Sequence, residues 1–228
     1  MPIQITWYGH ATWLIETGDH KILLDPFLDE NPASPIKAED VEVDTILVSH
    51  GHFDHIADAA SIANRNGAKL VANYEVAQWL AANHNVQEPV DLNPGGEVEM
   101  PWGLVKMVPA VHSSGLPDGS YGGVAAGFVL TINEVKIYFA CDTALFGDMN
   151  LIGDMDIHLA VLPIGDRYTM GLADSVKAAQ LVNAKQVLPS HYNTWPPIEQ
   201  DATVWSEMIH ASTGSTPIVL EPGETHTV

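Results

Sequence analysis

The chain carries one cysteine, Cys141, so it can form no internal disulfide and no thiolate cluster around a metal. That usage suits a reducing compartment. Basic residues are scarce as well: nine lysines and arginines stand against 29 acids, a formal net charge of −20. A surface of that sign repels polynucleotides and anionic bilayers, while composition says nothing about the substrate. Long apolar runs are missing too, and none approaches the roughly 18 residues needed to span a membrane. The opening "MPIQITWYGH" has neither the basic start nor the apolar stretch of a secretory signal, which makes the cytoplasm the expected location. No low-complexity segment, short-period repeat or linker-like break interrupts the 228 residues. One domain over 1–228, with a full core, is therefore expected. Composition leaves self-association open.

What the chain does have is a succession of strand-like apolar runs interspersed with helical patterns. Residues 56–67 repeat small apolar side chains at three- and four-residue spacing and stop at Gly67, a good residue just past a helix end. Segments 74–83, 172–183 and 202–212 follow the same logic. "TINEVKI" predicts a hairpin turning at Asn133 and Glu134. Strands mixed with helices along the chain predict a layered α/β structure.

Six of the apolar runs end, or nearly end, in a histidine or aspartate: His10, Asp25, His50, His112, Asp142 and His191. Strands packed in a sandwich deliver the residues at their ends to a shared rim. Groups far apart in sequence can converge there on rigid supports.

"SHGHFDH", residues 49–55, is the densest of these termini. In extended chain His50 and His52 point to the same side and can grip one metal together. A helix beginning at residue 56 would turn Asp54 and His55 toward a neighbouring position. Imidazole and carboxylate donors suit zinc, iron, manganese or nickel.

The pattern His50-x-His52-x-Asp54-His55, followed by His112, Asp142 and His191, resembles the signature of the metallo-β-lactamase fold superfamily. "WYGHAT", "LLDPF", "PIGDRYTMG" and "PSHYNTWPPIEQD" extend the likeness over essentially the whole chain. They resemble the small UPF0173-type metal-dependent hydrolases, which are related to the ascorbate-phosphate lactonase group. The resemblance implies an αββα sandwich and two divalent ions per chain. His50, His52 and His112 would hold one ion, and Asp54, His55 and His191 the other, with Asp142 bridging. It implies hydrolysis of a small ester, lactone or phosphoester by a hydroxide shared between the ions, with Asp54 also orienting that hydroxide.

Asp25 is expected to hydrogen-bond a ligand histidine. His10 is open between touching substrate, donating a proton to the leaving group, and a structural hydrogen bond. Arg167 is open between anchoring an anionic substrate and a surface ion pair. Alternation along the strand points Cys141 away from Asp142, into packing. Tyr192, Asn193, Thr194 and Trp195 are candidates for a pocket wall. The rival activities fit less well. A nuclease lacks a basic arm here, a β-lactamase uses cysteine at its second metal, and a flavodiiron protein has an acid where this chain has His52. A protein that keeps its metals without catalysis is the remaining alternative.

Overall fold

The computed structural model describes residues 2–228. The first six strands are β1 (Ile3–Trp7), β2 (Trp13–Thr17), β3 (His20–Leu24), β4 (Thr45–Leu47), β5 (Lys69–Asn73) and β6 (Val90–Leu92). The chain then crosses to β7 (Glu97–Met100), β8 (Gly103–Pro109), β9 (Ala126–Ile132), β10 (Val135–Phe139), β11 (Leu159–Pro163), β12 (Gln186–Ser190) and β13 (Thr216–Pro217). It returns as β14 (Thr225–Thr227) to the first sheet. The two seven-stranded sheets run β14-β1-β2-β3-β4-β5-β6 and β13-β12-β11-β10-β9-β8-β7. Each begins as an antiparallel meander and continues as parallel strands, from β3 onward in the first sheet and from β10 onward in the second.

The side-chain period of two decides which layer each residue joins. Trp13, Ile15, Ile22, Leu24, Leu47 and Val71 face the second sheet in one core. Their alternates Leu14, Leu23, Ile46, Val48 and Leu70 form another core with Ile62, Val76 and Leu80 from the helices. Both faces of these strands are covered, which is why "KILLD" and "TILVSH" read as nearly unbroken apolar runs.

Three helices follow strands of the first sheet: α1 (Phe53–Ile56), α2 (Ala59–Asn66) and α3 (Tyr74–His84). Three more, α4 (Met149–Gly153), α5 (Leu172–Val182) and α6 (Ala202–Ser212), accompany the second. The result is helix, sheet, sheet, helix. α2 stops where expected, at Gly67 with φ 64°. The β9–β10 hairpin turns at Asn133 (φ 48°) and Glu134 (φ 69°), both left-handed as a two-residue turn demands. One boundary differs from the sequence expectation. Helical backbone starts at Phe53 rather than 56, so Asp54 and His55 ride on the single turn α1.

Candidate metal centre at the sheet rim

All six strand-end residues come to the same rim. Asp25 directly follows β3 and His191 directly follows β12, while His10, His50, His112 and Asp142 each lie three residues beyond their strands. The backbone is left-handed at His10 (φ 55°), Asp25 (46°), Cys141 (53°) and His191 (55°). Such a conformation at a residue other than glycine costs roughly 1–2 kcal/mol and persists only where surroundings enforce it. Here they do. The His10 carbonyl accepts from the His191 N–H at 2.9 Å, the Ser190 hydroxyl at 3.1 Å and the Trp7 indole at 3.0 Å, tying the rims of both sheets together.

The donor atoms fall into neighbouring sets. His50, His52 and His112 form one, with His50 Nε2 2.9 Å from His52 Nδ1. Asp54, His55 and His191 form another, joined by His10. Asp142 lies between them: its Oδ2 is 3.1 Å from His191 Nε2, 3.4 Å from His55 Nε2 and 3.6 Å from His112 Nε2. Buried His55 Nε2, Asp142 Oδ1 and both ring nitrogens of His191 have no hydrogen-bond partner. Leaving such atoms unsatisfied is costly, and a cation would satisfy His55 Nε2, Asp142 and one ring nitrogen of His191 together. The donor set therefore fits divalent metal on its chemistry and on its orphaned atoms.

The protonation pattern supports the same fit. Burial, reinforced by His55, holds the His50 imidazole well below its usual value, and burial lowers His52 and His112 too. Neutral rings are what a metal requires. Burial opposes ionisation of Asp142 and Asp54, but His191 and His55 beside the first, and His55 and His10 beside the second, outweigh it and hold both carboxyls below the usual range. His55 goes the other way: burial acts to lower it, yet Asp142, Asp54 and Asp25 raise it well above the ordinary imidazole value.

Asp25 holds the site from behind. Its Oδ2 is 2.8 Å from His55 Nδ1, as expected of it, and its Oδ1 accepts the Ser49 N–H at 2.7 Å. The Ser49 hydroxyl donates to Asp25 at 2.6 Å and lies 2.9 Å from His50 Nδ1. One carboxylate and one serine thus fix a histidine of each donor set. Ser49 escaped the sequence reading; a small polar residue ending a buried apolar run was its only signal. Ser113, whose hydroxyl is 3.3 Å from His52 Nε2, gave none.

A cavity of about 670 Å³ opens onto the donors, with His52, Asp54, His112, Asp142 and His191 on its floor. A larger groove of about 950 Å³ lies elsewhere and includes none of these residues, although Tyr192 and Asn193 line it. Of the suspected pocket-wall residues only Trp195 borders the metal-site cavity. Thr194 instead meets His10 Nδ1 at 2.8 Å.

The structure also locates His10, Arg167 and Cys141. His10 is wholly buried and absent from the cavity lining; its Nε2 is 3.0 Å from Asp54 Oδ2, which fits the structural hydrogen bond among the roles open to it. Arg167 does not line the cavity either. Its guanidinium sits 5.6 Å from the centre of the Tyr168 ring, and Tyr168 is the residue that reaches the cavity. Cys141 packs rather than ligates, but not by alternation: the left-handed bend breaks the strand there and its Sγ lies 3.6 Å from the Phe139 carbonyl.

Comparison with known proteins agrees with this architecture. Residues 20–192 match the family described as the beta-lactamase superfamily domain. A UPF0173 metal-dependent hydrolase of Bacillus cereus is 44% identical over 99% of this chain and all of its own length. One from Thermus thermophilus is 41% identical over 97% of both chains. Among solved structures, Igni18, a metallo hydrolase from the archaeon Ignicoccus hospitalis, superposes with a TM-score of 0.89 at 31% identity, over 100% of this chain and 99% of that one. The chain belongs to the metallo-β-lactamase superfamily and, within it, to the UPF0173 metal-dependent hydrolases. Among the described residues no helix is long and apolar enough to cross a membrane.

Proposed function

We propose that this protein hydrolyses a small ester, lactone or phosphoester with the help of two divalent ions. One observation carries the reading: two donor sets open side by side beneath one cavity, and the Asp142 carboxylate reaches into both. His50, His52 and His112 would hold one ion, Asp54, His55 and His191 the other, and Asp142 would be shared. Zinc, manganese, iron and nickel all accept such donors. Bound there, the ions acidify water and offset the negative charge that develops on the attacked carbonyl or phosphoryl oxygen.

The chain's own residues supply position. His10 engages Asp54 Oδ2, which leaves Oδ1 to accept a hydrogen bond from the attacking water at the cavity floor. Held ionised, Asp54 orients that water. Asp25 and Ser49 keep the rings of His55 and His50 from turning. For an ester, the water oxygen bonds to the acyl carbon and the acyl C–O bond breaks. One water proton leaves with the departing alcohol, and the other ends on the acid or in solvent.

Elemental analysis of metal-loaded protein tests the dinuclear reading. Two ions per chain are expected, and Asp142→Ala should lose metal and turnover together. A firm ceiling of one ion, or an Asp142→Ala variant that keeps both ions and full activity, excludes it.

A further inference from the structure

We propose that the non-reacting end of the substrate is neutral and apolar, an aryl group or a similarly flat hydrocarbon, rather than a phosphate or carboxylate. The inference rests on the hydrolase reading above and names its substrate class. Phe53 stands between His52 and Asp54 in sequence, and its ring borders the cavity while remaining 50% exposed. Its back is braced: buried Phe27 meets it edge-on at 5.7 Å, and Trp195 tilts against it at 6.2 Å. Trp195 in turn packs on Phe27 at 5.9 Å and on His10 at 4.9 Å. The wall is therefore rigid and aromatic, fixed to the residue that holds Asp54.

Another part of the lining is also apolar: Pro117 is exposed there, beside Leu116, which is buried in the core. Leu116 and Pro117 come from a loop anchored by Ser114, whose hydroxyl accepts the Gly51 N–H at 3.0 Å and donates to the Gly122 carbonyl at 2.6 Å. Tyr168 adds a half-exposed ring at the rim.

No lysine or arginine lines this cavity. A remote phosphate or carboxylate needs cationic partners to replace its hydration, and the lining supplies no lysine or arginine for the purpose. A flat hydrocarbon needs only apolar faces, which water now covers at a cost proportional to area. The reacting carbonyl would sit at the His/Asp floor while the apolar group lies against the Phe53 and Tyr168 rings and Pro117.

Three methyl esters with one leaving group separate the possibilities on metal-loaded protein: acetate, 3-phenylpropanoate and the monoester of glutaric acid. They share methanol as the leaving group and differ in the acyl chain, which carries nothing further, a ring or a carboxylate. The phenyl ester should exceed acetate in kcat/KM by about tenfold, the effect of burying much of one ring, and the glutarate monoester should be slowest. Phe53→Ala should erase most of the phenyl preference, chiefly through KM. Binding of N-methyl-3-phenylpropanamide, followed by saturation-transfer NMR, gives a readout independent of turnover and should weaken about tenfold in Phe53→Ala. Because Phe53 adjoins Asp54, Tyr168→Ala on a separate loop provides a second variant, expected to lower the same preference about threefold. A glutarate monoester as fast as the phenyl ester overturns the inference. So does amide binding indifferent to both substitutions. Phe53-dependent amide binding with no ester turned over would leave the inference standing and remove the hydrolytic reading instead.

Discussion

His10 shows what one buried side chain does here. Burial, helped by nearby His191, pushes its imidazole down from the ordinary 6.5 to about 3, against the hydrogen bond to Asp54. A histidine whose folded value is depressed is protonated more readily in the unfolded chain, so acid favours unfolding across that window. Its contribution is complete above about 6.5 and is lost as pH falls toward 3. In metal-free protein His10→Gln should therefore reduce the acid sensitivity of stability by up to about 1.4 kcal/mol per pH unit. Urea midpoints at pH 7, 6 and 5 would show it; identical pH dependence in the two proteins contradicts the assignment. His55 titrates in the opposite sense, since three carboxylates hold its proton in the absence of metal. Metal uptake must then expel that proton, because a ligating ring is neutral. Calorimetric titrations in buffers of different ionisation enthalpy should report net proton release, and a buffer-independent heat would refute it.

At the scale of elements, the termini of the strands were legible and the bends beyond them were not. An apolar run covered on both faces has a composition that breaks off abruptly at its end, so His50, His112, Asp142 and His191 could be read as rim residues from sequence. The spacing of His50 and His52 survived into the structure because the chain stays extended between them; His52 itself has φ −67° and ψ 147°. Alternation is no guide at Cys141, which lies past the end of β10 with a left-handed backbone (φ 53°). Ser49 and Phe53 were missed for a related reason, since their roles depend on which residues of other strands and loops meet them. Gly165 makes the same point. It follows β11 at the rim, and a Cβ there would collide with the His191 carbonyl oxygen and sit 3.4 Å from His191 Nδ1. Gly165→Ala should destabilise by about 1–3 kcal/mol, as overpacking does. On the dinuclear proposal it should also loosen the ion proposed at Asp54, His55 and His191 more than the one proposed at His50, His52 and His112. Metal content after dialysis against a weak chelator distinguishes this from a general loss of fold, which would release both ions together.

At the scale of the whole molecule, charge decides what can approach. The formal −20 acts over a screening length of about 8 Å at physiological salt, so polyanions are opposed near the surface and released from that opposition as salt rises. A protein that binds polynucleotide through a basic track behaves in reverse, losing affinity steeply with salt as counterions are no longer gained by binding. Two substrates on the same metal-loaded protein therefore give slopes of informative sign. A short oligonucleotide should be cleaved slowly, if at all, with kcat/KM rising between about 50 and 200 mM salt. A small neutral ester should be turned over with little salt dependence, since it carries no charge to screen. The cavity supports the same expectation, because its floor has two ionised carboxylates and its walls have no lysine or arginine to hold phosphates in register. An oligonucleotide rate that falls with salt would reveal a cationic path to the site. If that rate also exceeded a small phosphodiester by more than about tenfold, roughly 1.4 kcal/mol of transition-state stabilisation would come from the polymer itself. The small-molecule reading would then give way to a nuclease.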